Sequence, residues 1–430
     1  MKIAFHTLGC KVNQYETQAM RHIMEDAGFE TTELDAVNSG VDIIVINSCT
    51  VTGESDRKLR QHLRRCRRDH PDAVLILTGC MPQAFPEVAA TFAEADIVLG
   101  NAARRTLPRH IENYLSHHKR IVDIPAHGKV IEELSIDTFS EHTRAFVKIQ
   151  DGCNRFCSYC IIPYARGRVR SRKPEDVRRE IEALAEKGYK EVVLVGINLT
   201  AYGQDNGKSI ADAVDAACAV DNIYRVRLGS LEPDFMSDEI LTRLANQPKL
   251  CPQFHLALQS GCDTTLRRMN RHYTTAEFAA LCAKLRRLFP GCALTTDVMV
   301  GFPGESDEDF ETSLAFVQKI GFSRVHVFAY SRRPGTVADK MPKQIAASVK
   351  SARSRRMIEA CSQCAADYAS TYIGRTVPIL LETPHTDGTI DGLTDTYLTV
   401  KTQTDKKSGD IIAARIFAAK GETLIGEEAR

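Results

Sequence analysis

Three features that would assign the protein to a special class are missing from its sequence. No apolar run approaches the ~18 residues that span a bilayer. The N-terminus, MKIAFHTLGCKVN, lacks the apolar core and small-residue cleavage site of a signal peptide. Its 56 basic and 55 acidic residues leave a net charge of +1, which excludes binding of nucleic acid through bulk charge alone. We therefore expect a cytoplasmic globular protein with no membrane partner.

Cysteine, by contrast, is plentiful. The chain has 430 residues, enough for two or three domains, and 14 of them are cysteines. Its content of 43% hydrophobic and 26% charged residues is typical of a globular protein. In a reducing compartment, cysteines are metal ligands or reduced core thiols more often than disulfides. The positions of the cysteines are therefore the first place to look for function.

The first 126 residues are predicted to form an open parallel α/β sheet. Short apolar runs alternate with helical patterns, which is typical of buried parallel strands covered by helices. The strand-like runs are KIAFHT (2–7), DIIVIN (42–47), AVLILT (73–78) and DIVLG (96–100), with helices at about 13–26 and 54–68 and another before the last run.

Three cysteines follow the first three of these strands. Cys10 lies in TLGCKVN, Cys49 in INSCTVT and Cys80 in LTGCMPQ. Ligands of open α/β sheets bind at the carboxyl ends of the strands. Three thiols delivered to that edge predict one shared site, although three unrelated buried cysteines remain the alternative.

After a polar stretch at about 127–143, which is predicted to be a linker, the chain shows six β/α repeats. Six consecutive units predict a partial or complete parallel barrel, whose active face lies at the carboxyl ends of its strands. Helical patterns separate the runs, as at 174–188 and 307–321. The strand-like runs are RAFVKIQ (144–150), KEVVLVG (190–196), YRVRLGS (224–230), QFHLALQ (253–259), ALTTDVMV (293–300) and RVHVFA (324–329).

The last 60 or so residues are predicted to form a small antiparallel β-barrel. They follow a mostly helical connector at about 341–369 and contain short alternating runs separated by Gly, Asp and Pro. The runs are VPILLET, LTDTYLTVKTQ, GDIIAARIFAA and ETLIGE. Barrels of this size often bind nucleic acid.

A cysteine triplet follows the first barrel strand, in DGCNRFCSYCIIP (151–163). Cys153, Cys157 and Cys160 lack the second Cys or His pair of a zinc site within the next 50 residues. A disulfide is not expected in this compartment, and a thiol nucleophile needs one cysteine. An iron–sulfur cluster with three thiolate-bound irons and one open iron is the reading that remains.

The Cys-x3-Cys-x2-Cys spacing resembles that of the radical S-adenosylmethionine (SAM) superfamily, in which SAM chelates the open iron. That resemblance implies reductive cleavage of SAM to methionine and a 5′-deoxyadenosyl radical that abstracts hydrogen from a substrate carbon. Together with TLGCKVN, INSCTVT, LTGCMPQ and the C-terminal barrel, the motifs resemble the methylthiotransferases over essentially the whole chain. The segment LGCKVNQYE is most similar to the MtaB branch of that family.

The family resemblance implies three domains and two cofactors. The domains are an α/β methylthiotransferase domain at 1–126, a radical-SAM domain with a partial (β/α)6 barrel at 144–368, and a TRAM-like RNA-binding domain at 370–430. The cofactors are SAM and two [4Fe–4S] clusters. The second cluster would be held by the three N-terminal cysteines, and its open iron would carry the sulfur to be transferred. One SAM molecule would methylate that sulfur and another would generate the radical.

The MtaB resemblance implies addition of a methylthio group to carbon 2 of N6-threonylcarbamoyladenosine at position 37 of tRNA. The alternatives are the same chemistry on isopentenyl-adenosine in tRNA or on a ribosomal-protein aspartate, and a non-catalytic, metal-stabilised RNA-binding protein. The expected partners are the tRNA anticodon stem-loop and a low-potential electron donor of flavodoxin or ferredoxin type. The sulfur source stays unassigned.

The superfamily resemblance also assigns residues to SAM. Tyr159 matches the aromatic residue that contacts adenine. Gly196 lies in LVGINLT, where the glycine motif of the superfamily meets the methionyl part of SAM; Ile197 and Asn198 replace its usual second Gly and Glu, and Asn198 stays a candidate. The other candidates, at strand ends or as a partner of the SAM carboxylate, are Glu232, Gln259, Ser260, Arg271 and Gly301.

Basic stretches are candidate contacts for RNA phosphates, with solvated surface as the alternative. They lie at 57–68, 166–173, 331–333 and 350–356, and Arg166 and Gly167 are the foremost candidates because they follow the cysteine triplet. Cys361 and Cys364 form a Cys-x2-Cys pair in a helical connector, which we interpret as structural. Cys262 is left open, and packing roles are expected for Cys66, Cys218, Cys251, Cys282 and Cys292.

Overall fold

The computed structural model describes residues 1–34, 40–132, 134, 136 and 143–429, so part of the predicted linker at 127–143 lies outside the described residues. The chain divides into two compact units, described here one at a time. Unit 1 comprises Met1–Ser140, Gln150–Arg172 and Ser331–Asp339, and unit 2 comprises Glu141–Ile149, Lys173–Tyr330 and Lys340–Arg430. Each unit therefore joins segments that are distant in the chain, and the three domain ranges stay a prediction.

Unit 1 contains a six-stranded sheet in which every neighbouring pair is parallel, in the order β2-β1-β3-β4-β5-β6. The four predicted strands are present as β1, β3, β4 and β5. The edge strands β2 and β6 are short and partly exposed, so they lack the continuous apolar run that marks a buried strand. The strands are β1 Lys2–Thr7, β2 Glu30–Glu33, β3 Ile43–Ser48, β4 Val74–Gly79, β5 Ile97–Leu99 and β6 Ile121–Asp123.

Helices cover both faces of this sheet. Leu59 and Leu63 of α2 pack in the core on one face, whereas Met20 and Met24 of α1 pack in the core on the other. Because helices cover both faces, the part of the sheet that can bind a ligand is its carboxyl edge, where the loops after the strands lie. The helices of unit 1 are α1 Lys11–Asp26, α2 Gly53–Asp69, α3 Cys80–Ala84, α4 Pro86–Ala90, α5 Leu107–His117 and α6 Ile162–Arg166. The segments Gln150–Asp151 and Arg170–Ser171 pair with each other in antiparallel orientation.

Unit 2 contains the six strands predicted for the parallel barrel, and they follow one another in chain order. They form two parallel sheets, β9-β8-β7 and β10-β11-β12-β13. The run YRVRLGS is divided at Gly229 into β9, the edge of one sheet, and β10, the edge of the other. The strands are β7 Ala145–Lys148, β8 Glu191–Val195, β9 Arg225–Leu228, β10 Ser230–Leu231, β11 Gln253–Gln259, β12 Ala293–Val300 and β13 Arg324–Ala329.

Helices alternate with these strands, and four of them, α8, α9, α11 and α12, begin at a side-chain cap. Ser306 and Thr274, for example, each form a capping box with the acidic residue three positions later, which satisfies backbone donors of the first turn. The helices are α7 Pro174–Glu186, α8 Ile210–Cys218, α9 Asp238–Ala245, α10 Asp263–Arg268, α11 Thr275–Leu288, α12 Asp307–Ile320 and α13 Ala347–Ser370. The predicted helical connector is α13.

The C-terminal part of unit 2 is a closed five-stranded barrel, as predicted. Its order is β14-β15-β16-β18-β17, and four of the five neighbouring pairs are antiparallel. The fifth pair, β16 with β18, is parallel and closes the barrel. The strands are β14 Thr376–Pro384, β15 Ile390–Thr394, β16 Thr399–Thr402, β17 Ile411–Lys420 and β18 Thr423–Glu428.

A buried ion pair connects the parallel strands of unit 2 to this barrel. Arg227 Nε donates to Glu191 Oε1 at 2.8 Å, and the other guanidinium nitrogens donate to the carbonyl oxygens of Asp395 and Thr394. Burial would raise the pKa of Glu191, but Arg227 and the neighbouring arginines hold that pKa below its usual range. The carboxylate is therefore charged and depends on its partner.

Candidate functional site

The three N-terminal cysteines converge at the carboxyl edge of the unit 1 sheet, as predicted from their positions. Cys10 caps the start of α1, Cys49 follows β3, and Cys80 opens α3 directly after β4. The thiols of Cys10 and Cys80 both point at Asn13 Oδ1, at 3.6 and 4.0 Å. A Cβ added at Gly9 would lie 2.9 Å from Cys49 Cβ, so the Cys10 turn also touches Cys49. Sequence reasoning did not identify Asn13.

Asn13 ties together the turns that carry Cys10 and Cys49. Its Nδ2 donates to the carbonyl oxygens of Leu8 and Ser48, at 3.1 and 3.0 Å. Asn13 is fully buried, so these hydrogen bonds are shielded from water. Its position three residues after Cys10, within LGCKVNQYE, is the only sequence signal that could have pointed to it.

Glycine allows the end of β4 to approach the end of β3. Gly79 has φ +104°, and a Cβ there would lie 2.4 Å from the backbone nitrogen and oxygen of Ser48. Any larger residue at this position would separate the two strand ends. Because Ser48 precedes Cys49 and Gly79 precedes Cys80, this close approach sets the distance between the two thiols.

A buried arginine from the cysteine-triplet segment reaches the N-terminal thiols. Arg166 Nε donates to Cys80 Sγ at 3.1 Å, and its Nη2 donates to Asn13 Oδ1 at 2.7 Å. Its Nη1 pairs with Glu16, which also accepts from Arg104 Nη2 at 2.8 Å. Arg166 has an exposed fraction of 0%, so the prediction that it contacts RNA phosphates is wrong.

Burial and charge perturb the pKa values of these groups. Burial raises the pKa of the Cys49 thiol to about 12, and the neighbouring Cys80 adds to the effect. Burial also raises the pKa of Cys80, against the opposing effect of Arg166. For Arg166 itself, burial opposes the charged form, but Cys80, Glu16 and Asp151 outweigh it and hold the pKa well above its usual range. Metal binding to such thiols would release protons, as is general for thiolate ligands.

The three N-terminal thiols lie at one edge of the sheet, where Cys49 and Cys80 are buried and Cys10 is exposed. Among residues 1–34, 40–132, 134, 136 and 143–429, no three His, Cys, Asp or Glu side chains are close enough to surround one ion. Zinc sites need their ligands around one centre, whereas the thiolates of a [4Fe–4S] cluster bind different irons. The donors of both cysteine trios, all thiols, are those that such clusters use.

The second trio lies on a short loop of unit 1 that returns on itself. Cys153 N donates to Gly167 O at 3.0 Å, and Cys160 N donates to Cys157 O at 2.9 Å. All three cysteines are partly exposed. The segment Ser331–Asp339, which is distant in the chain, packs on this loop. Ala338 N donates to the carbonyl oxygen of Ser158 at 2.7 Å. Nothing in the sequence predicted that contact.

Two exposed aromatic side chains lie next to each other, Phe156 on this loop and Tyr164 on the helix α6 that follows it. Phe156 and Tyr164 are 37% and 54% exposed, and their rings meet edge to face with centroids 6.1 Å apart. The Arg168 guanidinium lies 4.9 Å from the centre of the Phe156 ring. Phe156 has φ +50°, a left-handed conformation that bulky residues rarely adopt. An exposed aromatic pair with a cation is suited to stacking on a nucleotide base.

The residues predicted to bind SAM fall in both units. Tyr159 lies in unit 1, partly exposed, and the remaining candidates lie in unit 2. Gly196 directly follows β8, as predicted, and is partly exposed. Asn198 is buried, with Oδ1 accepting from Thr200 Oγ1 at 2.9 Å.

Four of the unit 2 candidates cluster around the end of β11. Glu232 forms an ion pair with Arg271, whose Nη2 also donates to Ala257 O at 3.0 Å. Gln259 has φ +65°, and its Oε1 is buried with no hydrogen-bond partner among the described residues. The buried Ser260 follows it directly. A buried acceptor without a partner can accept a hydrogen bond from a bound polar group, which is compatible with a site for SAM here.

The other predicted sites have structural partners. Gly301 N donates to Glu305 Oε1 at 2.9 Å, and the Lys350 side chain occupies the space where a Cβ would be. Arg333 and Arg353 are buried and paired with Asp56 and with Glu305, respectively, so the prediction that they contact RNA phosphates is wrong. Cys262 Sγ donates to Asp309 Oδ1 at 3.3 Å. The cysteines expected to be structural are all buried except Cys364, which is partly exposed on α13: Cys66, Cys218, Cys251, Cys282, Cys292 and Cys361.

Among the described residues, no helix combines the length and apolarity that crossing a membrane requires.

Sequence comparisons agree with this arrangement. The Radical SAM superfamily profile matches residues 147–317, and that of the uncharacterized protein family UPF0004 matches residues 2–100. Threonylcarbamoyladenosine tRNA methylthiotransferase MtaB of Bacillus subtilis (strain 168) is 39% identical over 97% of this chain and 94% of its own. The protein of the same name from Thermotoga maritima is 35% identical over 98% and 96%. The tRNA-2-methylthio-N6-dimethylallyladenosine synthase of Clostridium novyi is 34% identical over 98% and 95%.

Solved structures with the same fold include radical SAM enzymes with low sequence identity. The radical SAM methyltransferase TsrM from Kitasatospora setae has a TM-score of 0.57 at 16% identity and covers 79% of this chain and 77% of its own. The cobalamin-dependent radical SAM enzyme OxsB has a TM-score of 0.54 at 11% identity and covers 83% and 56%. The family implies SAM and a [4Fe–4S] cluster, and it contradicts a non-catalytic RNA-binding protein. The chain therefore belongs to the radical-SAM tRNA methylthiotransferases.

Proposed function

We propose that this enzyme adds a methylthio group to carbon 2 of N6-threonylcarbamoyladenosine at position 37 of tRNA and uses two [4Fe–4S] clusters. The observation that carries the second cluster is the convergence of the exposed Cys10 with the buried Cys49 and Cys80 at one edge of the sheet. The modified base is supported by the relatives, since those named for threonylcarbamoyladenosine include one at 39% identity and the dimethylallyladenosine relative reaches 34%.

Each cysteine trio would hold one cluster and leave a position open for a further ligand. Cys153, Cys157 and Cys160 would hold the cluster that binds SAM. When bound there, that cluster would supply the electron that cleaves SAM. Glu16, the buried carboxylate beside the N-terminal thiols, is engaged by two guanidinium groups and so is withheld from a metal. The open position of the cluster held by Cys10, Cys49 and Cys80 is proposed to carry the sulfur that is transferred.

Residues of unit 2 would bind SAM, and exposed groups of both units would bind RNA. The orphaned Oε1 of Gln259 would accept a hydrogen bond from the SAM ligand. Phe156 and Tyr164 would stack on unpaired bases of the anticodon loop, with Arg168 near the phosphates. The C-terminal barrel is proposed as a TRAM-like contact for the anticodon stem-loop, and a flavodoxin- or ferredoxin-type protein as the electron donor.

Iron and sulfide content tests the two-cluster proposal. The anaerobically prepared full chain should contain about eight irons, and combined Cys10→Ala, Cys49→Ala and Cys80→Ala substitutions should leave about four. A matched control combines Cys361→Ala with Cys364→Ala, which removes a Cys-x2-Cys pair on α13 and should leave the iron unchanged. Four irons in the unaltered chain would contradict the proposal.

Nucleoside mass spectrometry tests the substrate. A strain in which this gene is deleted should lose 2-methylthio-N6-threonylcarbamoyladenosine from its tRNA and keep the methylthiolated isopentenyl-adenosine. Loss of the isopentenyl derivative alone would favour the second candidate substrate, which the Clostridium novyi relative supports. Restoring the gene, but not its Cys153→Ala variant, should restore the product.

A further inference from the structure

Arg166 links the two cysteine trios of unit 1. It lies six residues after Cys160, at the end of α6, yet its guanidinium reaches residues of α1 and α3. The Nε–H is directed at Cys80 Sγ at 3.1 Å, and the fork of Nη1 and Nη2 engages Glu16 and Asn13. One side chain thus fixes a ligand-bearing helix of one trio relative to the segment that carries the other.

The surroundings exclude an ordinary surface role for this arginine. The guanidinium and the Glu16 carboxylate are both 0% exposed, and burying such charges is costly unless each hydrogen bond is satisfied. The charged groups around it are Glu16, Arg104 and Glu132 on one side and Asp151 and Arg170 on the other. An arginine that only formed an ion pair would contact Glu16 and nothing more. The Nε–H directed at Cys80 Sγ is an additional contact that an ion pair does not require.

We propose that Arg166 is a positioning residue for the N-terminal thiol site: its Nε–H···Sγ hydrogen bond holds Cys80 in place and raises the reduction potential of the cluster bound there. Hydrogen bonds to cluster sulfurs and local positive charge are two of the factors that set such potentials. A planar guanidinium can serve Cys80, Asn13 and Glu16 at once, whereas the point charge of lysine cannot. The inference rests on the proposed second cluster.

The chain offers a matched control in Arg104. Arg104 is buried like Arg166 and shares Glu16, but its other partners among the described residues are Asn101 and Glu132, and neither of them is a thiol. Arg104→Met therefore disturbs the same buried carboxylate without removing a hydrogen bond to sulfur. Arg166→Lys keeps the positive charge for Glu16 if Arg166→Met fails to fold.

The test uses the full chain with Cys153, Cys157 and Cys160 changed to alanine, so that only the N-terminal cluster remains. Its midpoint potential is measured by an EPR-monitored redox titration, alongside iron content. We expect a more negative midpoint in Arg166→Met and, to a smaller extent, in Arg166→Lys, with no shift in Arg104→Met. Loss of iron from Arg166→Met that Arg104→Met does not share would also support the positioning role.

Three outcomes would overturn the inference, and they are distinguishable. Absence of iron in the background variant would refute the second cluster itself, and the role of Arg166 with it. Bound iron with an unchanged midpoint in both Arg166 variants would refute the role of Arg166 alone. Equal shifts in Arg166→Met and Arg104→Met would assign the effect to Glu16 instead of the hydrogen bond to Cys80.

Discussion

The buried thiol of Cys49 should react slowly with iodoacetamide in the iron-free protein. Its pKa of about 12 leaves about one thiolate in 10⁴ at pH 8, whereas an ordinary thiol with a pKa of about 8.5 is about one-quarter thiolate. The greater nucleophilicity of a more basic thiolate recovers about 30- to 50-fold of this difference. Cys49 should therefore react about 50-fold more slowly than an ordinary thiol, before the effect of its burial is included.

The pH dependence gives this prediction a second, sharper form. Because only the thiolate reacts, the labelling rate of Cys49 should rise about tenfold for each pH unit from 7 to 10, whereas that of an ordinary thiol levels off above its pKa of about 8.5. Peptide mapping by mass spectrometry after timed labelling measures both rates.

The controls lie within the same chain. Cys10 is exposed and should be labelled first, and in denaturant Cys49 should react as an ordinary thiol does. If folded, iron-free protein is labelled at Cys49 as fast as at Cys10 at pH 8, the reasoning from burial is refuted.

Three further perturbations test the fold and the proposed contact with RNA. Gly79→Ala should destabilise the protein by clearly more than Gly28→Ala in urea unfolding, because both have positive φ but only Gly79 would collide with backbone, at 2.4 Å. Arg227→Met should cost about 1.5–3 kcal/mol of unfolding free energy, since it removes the charge-assisted hydrogen bond of a buried carboxylate and leaves it only the longer ion pairs to Arg225 and Arg144; a cost below about 1 kcal/mol would contradict this interpretation. Phe156→Ala should weaken tRNA binding by about 1–3 kcal/mol in a filter-binding assay, the loss of one stacked base, whereas Tyr224→Ala, at an aromatic residue that is even more exposed, should not.

The strands of both units could be predicted because parallel strands covered on both faces require continuous apolar residues. DIIVIN and AVLILT show that pattern, and the structure has β3 and β4 at those positions. The same rule explains why β2 and β6 were missed, since partly exposed edge strands carry no such run. The parallel closing pair of the C-terminal barrel was also missed, because strand direction at a closure depends on chain path and not on composition.

The burial and the partners of the arginines could not be predicted from the sequence. RGRVRSRK and SRR read as exposed basic stretches, but Arg166 and Arg333 are buried and paired with carboxylates that lie far away in the chain. A local sequence contains no information about a partner 150 or more positions distant, such as Glu16 for Arg166. Only the exposed members of such stretches, such as Arg168, remain available to RNA.

The sequence by itself determined the chemistry that this protein can offer: two trios of thiols, each placed at a strand end by a local apolar pattern and a turn. Tertiary structure alone decided that Asn13 lies beside the thiols of Cys10 and Cys80, and that Arg166 from the other trio's segment is hydrogen-bonded to Cys80. The physical reason is that apolar periodicity is a property of neighbouring residues in the sequence. The burial and charge that set the pKa of a thiol come from residues distant in the sequence that the fold packs against it.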